Sequence, residues 1–287
     1  MKAGLVGEGI GGSLTPEMHE MEGREQGLDF RYVRFDTAID KRSLSQIVDE
    51  AEAEGFAGLN VTHPHKREAC QLVDELRGVA ETLGAINTIV FENGRRVGYN
   101  TDYIGFRSAL RRDMAGALIK HVLLVGAGGA GAAVALAIAD QGATQLTIHD
   151  RQTELAENVA GFVAKARPHV EVRVAKSTQD IDFNIVNGVV NATPMGMESH
   201  PGTAIDVKQV SRETWVSDIV YFPLETTLLA RARMRGCRVM DGSGMAVFQA
   251  VASFNLFTGL KADSSRMADS FHKILGRNAP MEKAIAI

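Results

Sequence analysis

The sequence predicts an α/β protein of two domains, each with a mostly parallel sheet covered by helices. Strand-like and helix-like segments alternate along the chain, which is typical of parallel sheets whose strands are joined by helices. The alternation begins afresh near residue 122 with a fully apolar strand. A length of 287 residues is sufficient for two domains of ordinary size. We therefore expect two sheets with a cleft between them.

The first third of the chain supplies the elements of the first domain. Apolar segments predict strands at residues 3–6, 30–35 and 57–61. Helical patterns begin near Pro16, Ser43 and Pro64. Residues 86–91 and 95–99 flank Asn93-Gly94, a dipeptide that favours the tight turn of a hairpin. A helix beginning near Asp102 is expected to link the two domains.

The second domain is predicted from its regular alternation of strands and helices. Its strands are expected at residues 122–125, 146–149, 170–174, 185–191, 215–220 and 238–240. Two helices follow, at about 246–256 and 265–275. No strand of the second domain is left for them to cover, so we expect them to return to the first. The predicted first domain is thus 1–103 completed by 243–287, and the second is 104–242.

Composition and charge indicate a small-molecule ligand. Lys and Arg total 31 against 35 Asp and Glu, a net charge of −4, so no basic excess favours nucleic acid or an anionic membrane. The N-terminus reads as a strand rather than a signal peptide, and no apolar run approaches the roughly 18 residues of a membrane span. Cys70 and Cys237 have no paired spacing, which favours free thiols. A cytoplasmic protein is the simplest expectation.

A glycine-rich loop predicts a dinucleotide site. Residues Gly126, Gly128 and Gly131 fit G-x-G-x-x-G between the apolar strand and an alanine-rich helix. The first glycine would make a tight turn, the second would let the backbone approach a pyrophosphate, and the third would let the helix pack on the strand. N–H groups at the helix start would bind the anion. The alternative is that the glycines serve packing alone, but this context favours a Rossmann domain.

Asp150 indicates which dinucleotide is bound. It follows the next predicted strand about 20 residues later, where a carboxylate can accept hydrogen bonds from the ribose hydroxyls and repel a 2′-phosphate. Arg151 beside it could stack on the adenine or accommodate that phosphate. The alternative role for Asp150 is a turn or helix cap. We therefore expect NAD to be preferred, with NADP also accepted.

Three polar strand-to-helix junctions fall in the first domain: residues 13–16, 60–66 and 100–102. Each alone has a simple explanation, since Lys66 could be a solvated lysine and Thr15, Thr101 or Asp102 could cap helices. Together they could bind a ligand that carries a carboxylate and several hydroxyls, because ligands of open α/β sheets bind at the strand ends. His63 and His65 lack acidic or cysteine partners at ligand spacing, so no metal is expected.

With these junctions, the chain resembles the shikimate dehydrogenase family, and is most similar to its bacterial NAD-dependent quinate/shikimate dehydrogenases. The shared motifs are SLTP at 13–16, NVTHPHK at 60–66, GAINT at 84–88, NTDYIGF at 100–106, GAGGAG at 126–131, NATPMGM at 191–197, DIVYFPLET at 218–226 and DGSGM at 241–245. The resemblance implies a substrate domain, a Rossmann domain and reversible NAD(P)-dependent oxidation of the ring 3-hydroxyl of shikimate, quinate or both to the 3-dehydro acid.

The resemblance also implies roles for individual residues. Lys66 and Asp102 would form the catalytic pair, with Lys66 exchanging the proton. The substrate would be bound by Ser13 and Thr15 at its carboxylate and by Thr62, Asn87, Asp102 and Gln249 at its ring hydroxyls, with Asn60 and Tyr221 nearby. The cofactor would be bound by Gly126, Ala127, Gly128, Gly129, Ala130, Gly131, Asp150, Arg151, Ala192, Thr193, Pro194, Val220, Gly242 and Met245. A monomer or a homodimer is expected.

Two departures from the family pattern bear on specificity. Thr15 stands where the biosynthetic NADP enzymes usually have serine, and its added methyl leaves the choice among shikimate, quinate and an amino analogue open. Residues 150–152 read DRQ where those enzymes have Asn-Arg-Thr, which favours NAD and a catabolic direction. A sensor that binds dinucleotide and ring acid without turnover is the alternative from another class, and the presence of both Lys66 and Asp102 argues against it.

Overall fold

Two six-stranded sheets contain all twelve strands of the computed structural model, which describes residues 1–278. The strands of the first sheet are β1 (Lys2–Gly7), β2 (Arg31–Asp36), β3 (Gly58–Val61), β4 (Glu75–Leu76), β5 (Thr88–Glu92) and β6 (Arg95–Tyr99). They lie in the order β2-β1-β3-β5-β6-β4. Only β5 runs antiparallel to its neighbours, β3 and β6. This agrees with the mostly parallel sheet that the sequence predicts.

The hairpin between β5 and β6 is confirmed. Asn93 and Gly94 both have positive φ angles, 52° and 69°. Two such residues in succession match the right-handed twist of the flanking strands. The hairpin turns the chain back, so that the end of β6 delivers residues 100–102 to the edge of the sheet where β1 and β3 end.

Three helices belong to the first part of the chain: α1 (Thr15–Glu25), α2 (Leu44–Ala53) and α3 (Val79–Leu83). Helix α2 begins where predicted, because the Ser43 side chain accepts a hydrogen bond from the Gln46 N–H while the Ser43 N–H donates to the Gln46 side chain. In α1, Pro16 occupies the first turn, where a missing N–H costs nothing.

The predicted helix at Pro64 is wrong. Residues 64–67 form turns, and only the short 3₁₀ helix Glu68–Leu72 follows. The reason is a long-range hydrogen bond: the carbonyl of Lys66 accepts from the N–H of Ile86 at 2.9 Å. That carbonyl is therefore committed to the neighbouring segment, and Lys66 lies on a turn rather than in a helix.

The second sheet is entirely parallel. Its strands are β7 (His121–Val125), β8 (Gln145–His149), β9 (Glu171–Ala175), β10 (Gly188–Asn191), β11 (Trp215–Asp218) and β12 (Val239–Met240). They lie in the order β12-β11-β10-β7-β8-β9. This is the Rossmann arrangement, in which the two halves diverge from the first strand, here β7. The predicted Rossmann fold is thus confirmed.

The helices of this second part are α4 (Thr101–Asp113), α5 (Gly129–Asp140), α6 (Thr153–Ala166) and α7 (Thr227–Met234). Every residue of α5 from 131 to 139 is buried. This explains why its sequence is apolar on all sides and rich in alanine, since small side chains let the helix lie against the sheet and its neighbours.

The chain ends with α8 (Ser243–Thr258) and α9 (Ser264–Asn278). Their apolar side chains share one core cluster with residues of α1, β1 and β2. Helices α4 and α8 cross closely at Gly105, which has no side chain to separate them. A Cβ at this position would lie 2.6 Å from the Met245 carbonyl oxygen. Residues 279–287, which the sequence assigns to the first domain, lie outside the described residues. Among those described, no helix is both long and apolar enough to span a membrane.

Candidate active site

A cavity of about 840 Å³ lies where the strand ends of the two sheets face each other. Its wall comes from loops that follow β1, β3, β10 and β11 and from the first turns of α4, α5 and α8. All nine residues predicted to bind substrate line it: Ser13, Thr15, Asn60, Thr62, Lys66, Asn87, Asp102, Tyr221 and Gln249. Residues far apart in the chain therefore meet at the carboxyl ends of parallel strands, as open α/β sheets require.

Lys66 and Asp102 are paired inside this cavity. The Lys66 Nζ donates to Asp102 Oδ2, and the two side chains are 17% and 11% exposed. The α4 helix start is capped by Asn100, whose side chain accepts from the Tyr103 N–H at 3.2 Å. The capping alternative for Thr101 and Asp102 is therefore wrong, and the Asp102 carboxylate is left for Lys66. Its Oδ1 accepts no hydrogen bond from residues 1–278 and can receive one from a ligand.

The expected carboxylate end of the cavity is built from hydroxyl groups. Ser13 Oγ accepts from the Thr15 N–H at 3.4 Å, which holds the Ser13 side chain at the start of α1. The Ser13 carbonyl accepts from Arg34 at 2.9 Å. Tyr221, from the loop after β11, packs edge-on against Phe271 of α9 with ring centroids 6.1 Å apart. Tyr221 thus lies between the second sheet and the C-terminal helices.

The glycine loop has the conformation that the sequence argument demands. Gly126 has a φ of 100°, and a Cβ there would lie 2.7 Å from the Ala192 carbonyl. A Cβ at Gly131 would lie 2.1 Å from the Gly126 oxygen. A Cβ at Gly128, in contrast, would meet no atom within 4 Å among the described residues. The first and third glycines are required for packing, whereas the second leaves open space where a pyrophosphate could lie.

The loop faces the pair formed by Lys66 and Asp102. A Cβ built on Gly129, at the start of α5, would lie 3.6 Å from Cδ of Lys66. The N-terminus of α5, whose first N–H groups have no partner within the helix, therefore lies close to the Lys66 side chain. A dinucleotide laid along the loop would reach the place where Lys66 and Asp102 meet.

Half of the fourteen predicted cofactor residues line the cavity: Ala130, Ala192, Thr193, Pro194, Val220, Gly242 and Met245. The other seven lie outside its wall: Gly126, Ala127, Gly128, Gly129, Gly131, Asp150 and Arg151. The two carboxylate oxygens of Asp150 accept from the Ala127 N–H at 2.7 Å and the Gln152 N–H at 2.9 Å. The Asp150 side chain therefore stabilises both the glycine loop and the turn that follows β8. Its oxygens keep further lone pairs that can accept hydrogen bonds from ribose hydroxyls. Arg151 is exposed.

Asp218 and Asn191 form a buried network that sequence reasoning missed. Asp218 Oδ1 accepts from Asn191 Nδ2 at 2.9 Å and from the Val220 N–H at 3.0 Å, and Oδ2 accepts from Thr226 at 2.8 Å. Asn191 Oδ1 accepts from the Thr193 N–H at 3.0 Å. Burial raises the pKa of Asp218 to about 6. The network ties together the two loops that form the second domain's side of the cavity.

The loop after β1 was also missed, although its repeated glycines were a visible signal. Residues 8–12 line the cavity. The N–H groups of Gly9 and Ile10 donate to the Asp36 carboxylate at 2.9 and 3.1 Å. Because Asp36 ends β2, the loop is fixed to the sheet rather than free.

Comparison with known proteins agrees with this geometry. A family model described as the shikimate dehydrogenase substrate binding domain matches residues 5–89. A quinate/shikimate dehydrogenase (NAD(+)) from Corynebacterium efficiens is 45% identical, over 93% of this chain and 96% of that protein. The chain belongs to the shikimate dehydrogenase family. The family predicted from the motifs is therefore confirmed.

Relatives of this chain include proteins named for NADP and proteins named for, or bound to, NAD. A shikimate dehydrogenase (NADP(+)) from Streptomyces avermitilis is 43% identical over 96% of each chain. The structure of quinate dehydrogenase from Corynebacterium glutamicum in complex with NAD superposes with a TM-score of 0.90 and 42% identity, covering 95% of this chain and 99% of that one. The shikimate dehydrogenase fold thus extends over nearly the whole chain, including both sheets.

Proposed function

We propose that the protein catalyses the reversible NAD(P)-dependent oxidation of the ring 3-hydroxyl of shikimate, quinate or both to the 3-dehydro acid. The observation that carries the proposal is the pairing of Lys66 with Asp102 in a cavity where Gly129 of the glycine loop faces the lysine. The names of the relatives, quinate/shikimate and shikimate dehydrogenase, support the same reaction.

The two catalytic side chains have different tasks. A bound nicotinamide supplies the hydride acceptor. Lys66 then takes the proton of the alcohol during oxidation and returns it to the developing alkoxide during reduction. Asp102 accepts from Lys66 through Oδ2 and thereby holds Nζ beside the hydroxyl whose proton the lysine takes, while Oδ1 can accept a hydrogen bond from a neighbouring ring hydroxyl. This arrangement also disfavours a sensor, which would need no proton acceptor at the hydroxyl.

Substrate recognition follows from the donors around the cavity. Ser13 and Thr15 offer hydroxyl groups to the carboxylate, and Thr62, Asn87 and Gln249 face the ring hydroxyls. Tyr221 approaches from the second domain and would close over the ligand. We assign residues 1–103 with the C-terminal helices to the substrate domain and 104–242 to the cofactor domain, because most of the substrate donors belong to the former and the glycine loop belongs to the latter.

NAD is the preferred cofactor in this proposal. The Asp150 carboxylate, held beside the glycine loop by Ala127, suits ribose hydroxyls and repels a 2′-phosphate. Exposed Arg151 would allow some use of NADP. The loop fits a dinucleotide independently of this choice, since the space beyond Gly128 is open and the helix start supplies N–H groups.

We further infer a cytoplasmic enzyme that works as a monomer or homodimer on small molecules, not on nucleic acid or membranes. A net charge of −4 and two free thiols support this setting. Size-exclusion chromatography with light scattering would determine the oligomeric state.

A spectrophotometric assay tests the reaction. The protein is mixed with NAD or NADP and with shikimate, quinate or the amino analogue of shikimate, and reduction of the cofactor is followed; the 3-dehydro acid with reduced cofactor tests reversal. We expect NAD reduction with shikimate, quinate or both. Turnover of the amino analogue alone would show that the proposed substrate is wrong. Binding without turnover would indicate a sensor. The absence of both binding and turnover would refute the proposal. The Lys66→Ala variant serves as the matched negative control.

A further inference from the structure

A buried chain of hydrogen bonds runs behind the cavity wall from β2 to α4. Its members are the side chains of Tyr32, Asn60, Thr88, Asn87 and Thr101, each at most 7% exposed. The Tyr32 hydroxyl donates to Asn60 Oδ1 at 2.6 Å. Tyr32 does not line the cavity, whereas Asn60 and Asn87 do. The chain thus joins a residue outside the site to two residues at its wall.

The backbone fixes the direction of the Asn60 amide. Its Nδ2 donates to the Asn87 carbonyl at 3.2 Å and to Thr88 Oγ1 at 2.9 Å. Because a carbonyl can only accept, the amide nitrogen must be the group on that side, and Oδ1 must face Tyr32. Both amide hydrogens of Asn60 are then used within the protein. Asn60 therefore has no donor to give to a ring hydroxyl.

The same argument fixes Asn87. Its Oδ1 accepts from the Thr101 N–H at 2.6 Å, from the Thr101 hydroxyl at 3.0 Å and from the Thr88 hydroxyl at 3.1 Å. A backbone N–H can only donate, so Oδ1 must be the atom that faces α4. The amide nitrogen of Asn87 is left to face the cavity, where it presents a hydrogen-bond donor to the ligand.

We propose that Tyr32 is a positioning residue for catalysis: through Asn60 and Thr88 it holds Asn87 with its amide N–H group toward the substrate. The inference rests on the proposed function and makes Asn60 a part of the support that orients Asn87. Without the Tyr32 hydroxyl, Asn60 Oδ1 would be buried without a donor, which is unfavourable. Asn60 would then turn toward water or ligand in the cavity and withdraw its hydrogen bonds from Asn87 and Thr88.

The kinetic test is a double-mutant cycle. Tyr32→Phe removes only the hydroxyl, and Thr88→Val breaks the chain at its middle while Tyr32 stays intact. We expect each to lower kcat/KM for the ring acid about tenfold, the scale of one misplaced hydrogen bond. In an Asn87→Ala background, each should lower kcat/KM less than about twofold, because the residue through which they act is gone.

Tyr103→Phe is the matched control. Tyr103 is also 7% exposed, and its hydroxyl donates to Asp140 at 2.7 Å, toward the second domain. It should lower the melting temperature as Tyr32→Phe does, while changing kcat/KM less than about twofold. Equal kinetic losses from Tyr32→Phe with and without Asn87, or a lower melting temperature with unchanged kinetics, would overturn the proposal.

Crystal structures of the wild type and of Tyr32→Phe give a readout that does not depend on turnover. We expect the Asn60 amide of the variant to be rotated toward the cavity and Asn87 to be displaced from Thr101. Unchanged positions of both side chains would overturn the inference even in an active enzyme. An inactive wild type would instead refute the proposed function, so the two failures are distinguishable.

Discussion

Replacing His19 should make the protein's stability less sensitive to acid. His19 is fully buried, in contact with the rings of Phe30 and Phe254. Its Nδ1 lies 2.9 Å from the Thr15 carbonyl and its Nε2 lies 3.2 Å from Ser253 Oγ. Because the carbonyl only accepts, the neutral ring carries its proton on Nδ1, and Nε2 lies beside the Ser253 hydroxyl, which donates to the Ala250 carbonyl at 3.1 Å. Burial lowers the pKa of His19 to about 4.

The sign and size of the effect follow from the two pKa values. The unfolded chain takes up the proton near pH 6.5 and the folded chain near 4. The stability contribution of neutral His19 is therefore complete above about pH 6.5 and is lost as the pH falls toward 4. Between about pH 7.5 and pH 5 the free energy of unfolding should decrease by about 2 kcal/mol from this group alone.

Asp218 acts in the opposite direction. Its pKa is raised from 3.8 to about 6, so its contribution to stability is complete below about pH 3.8 and is lost as the pH rises through 6. Between about pH 7.5 and pH 5, Asp218 should therefore increase the free energy of unfolding by about 1 kcal/mol. Together, the two groups should lower the free energy of unfolding of the wild type by about 1 kcal/mol over this pH range. Compared with the wild type over this pH range, the free energy of unfolding of His19→Gln should decrease by about 2 kcal/mol less, and that of Asp218→Asn by about 1 kcal/mol more.

Urea denaturation followed by circular dichroism at several pH values measures these differences. Other titrating groups are common to all three chains and cancel when the variants are compared with the wild type. His19→Gln keeps one donor and one acceptor for Thr15 and Ser253, so a constant loss at all pH values is acceptable. If the free energy of unfolding of His19→Gln decreased between pH 7.5 and pH 5 as much as that of the wild type, the reasoning about His19 would be refuted. If its dependence on pH in Asp218→Asn were the same as in the wild type, the reasoning about Asp218 would be refuted.

Further predictions concern catalysis and cofactor binding. Lys66→Ala should lower kcat by roughly 10²-fold or more with little change in KM; near-normal turnover would remove Lys66 from the chemistry. Thr15→Ser should change the quinate-to-shikimate ratio of kcat/KM, and an unchanged ratio would show that Thr15 does not set the choice. Gly128→Val should raise KM for NAD about tenfold or more while keeping the melting temperature within a few degrees, because its side chain would enter the open space of the pyrophosphate. Gly126→Val should lower the melting temperature, since its φ is 100° and Ala192 lies against it; equal melting temperatures for the two glycine variants would contradict this division of roles.

Local sequence signals predicted the parts of the fold that are determined locally. The Asn93-Gly94 turn and the Ser43 capping box each depend on residues within a few positions of one another. The backbone conformation that such residues allow does not change with distant packing. These elements were correct, and with the motif order they identified the family.

The errors arose where a distant partner decides the local conformation. Pro64 at a strand end is a good helix start by local rules, yet the Ile86 N–H binds the Lys66 carbonyl and the helix does not form. Asn100, Thr101 and Asp102 are all acceptable caps in sequence, and only the structure shows that Asn100 takes the role. Asp218 lies in an apolar strand, and nothing near it in sequence indicates its bond to Asn191, 27 residues away.

Asn60 illustrates how hydrogen-bond accounting changes a role that resemblance implies. The motif at 60–66 and the cavity wall both suggest contact with substrate. Its amide hydrogens, however, are already donated to Asn87 and Thr88, and its oxygen already accepts from Tyr32. A side chain at a cavity wall can bind a ligand only with the donors and acceptors that the protein leaves unused. By that criterion the amide donor available to a ligand at this wall belongs to Asn87, and a residue as remote as Tyr32 helps to orient it.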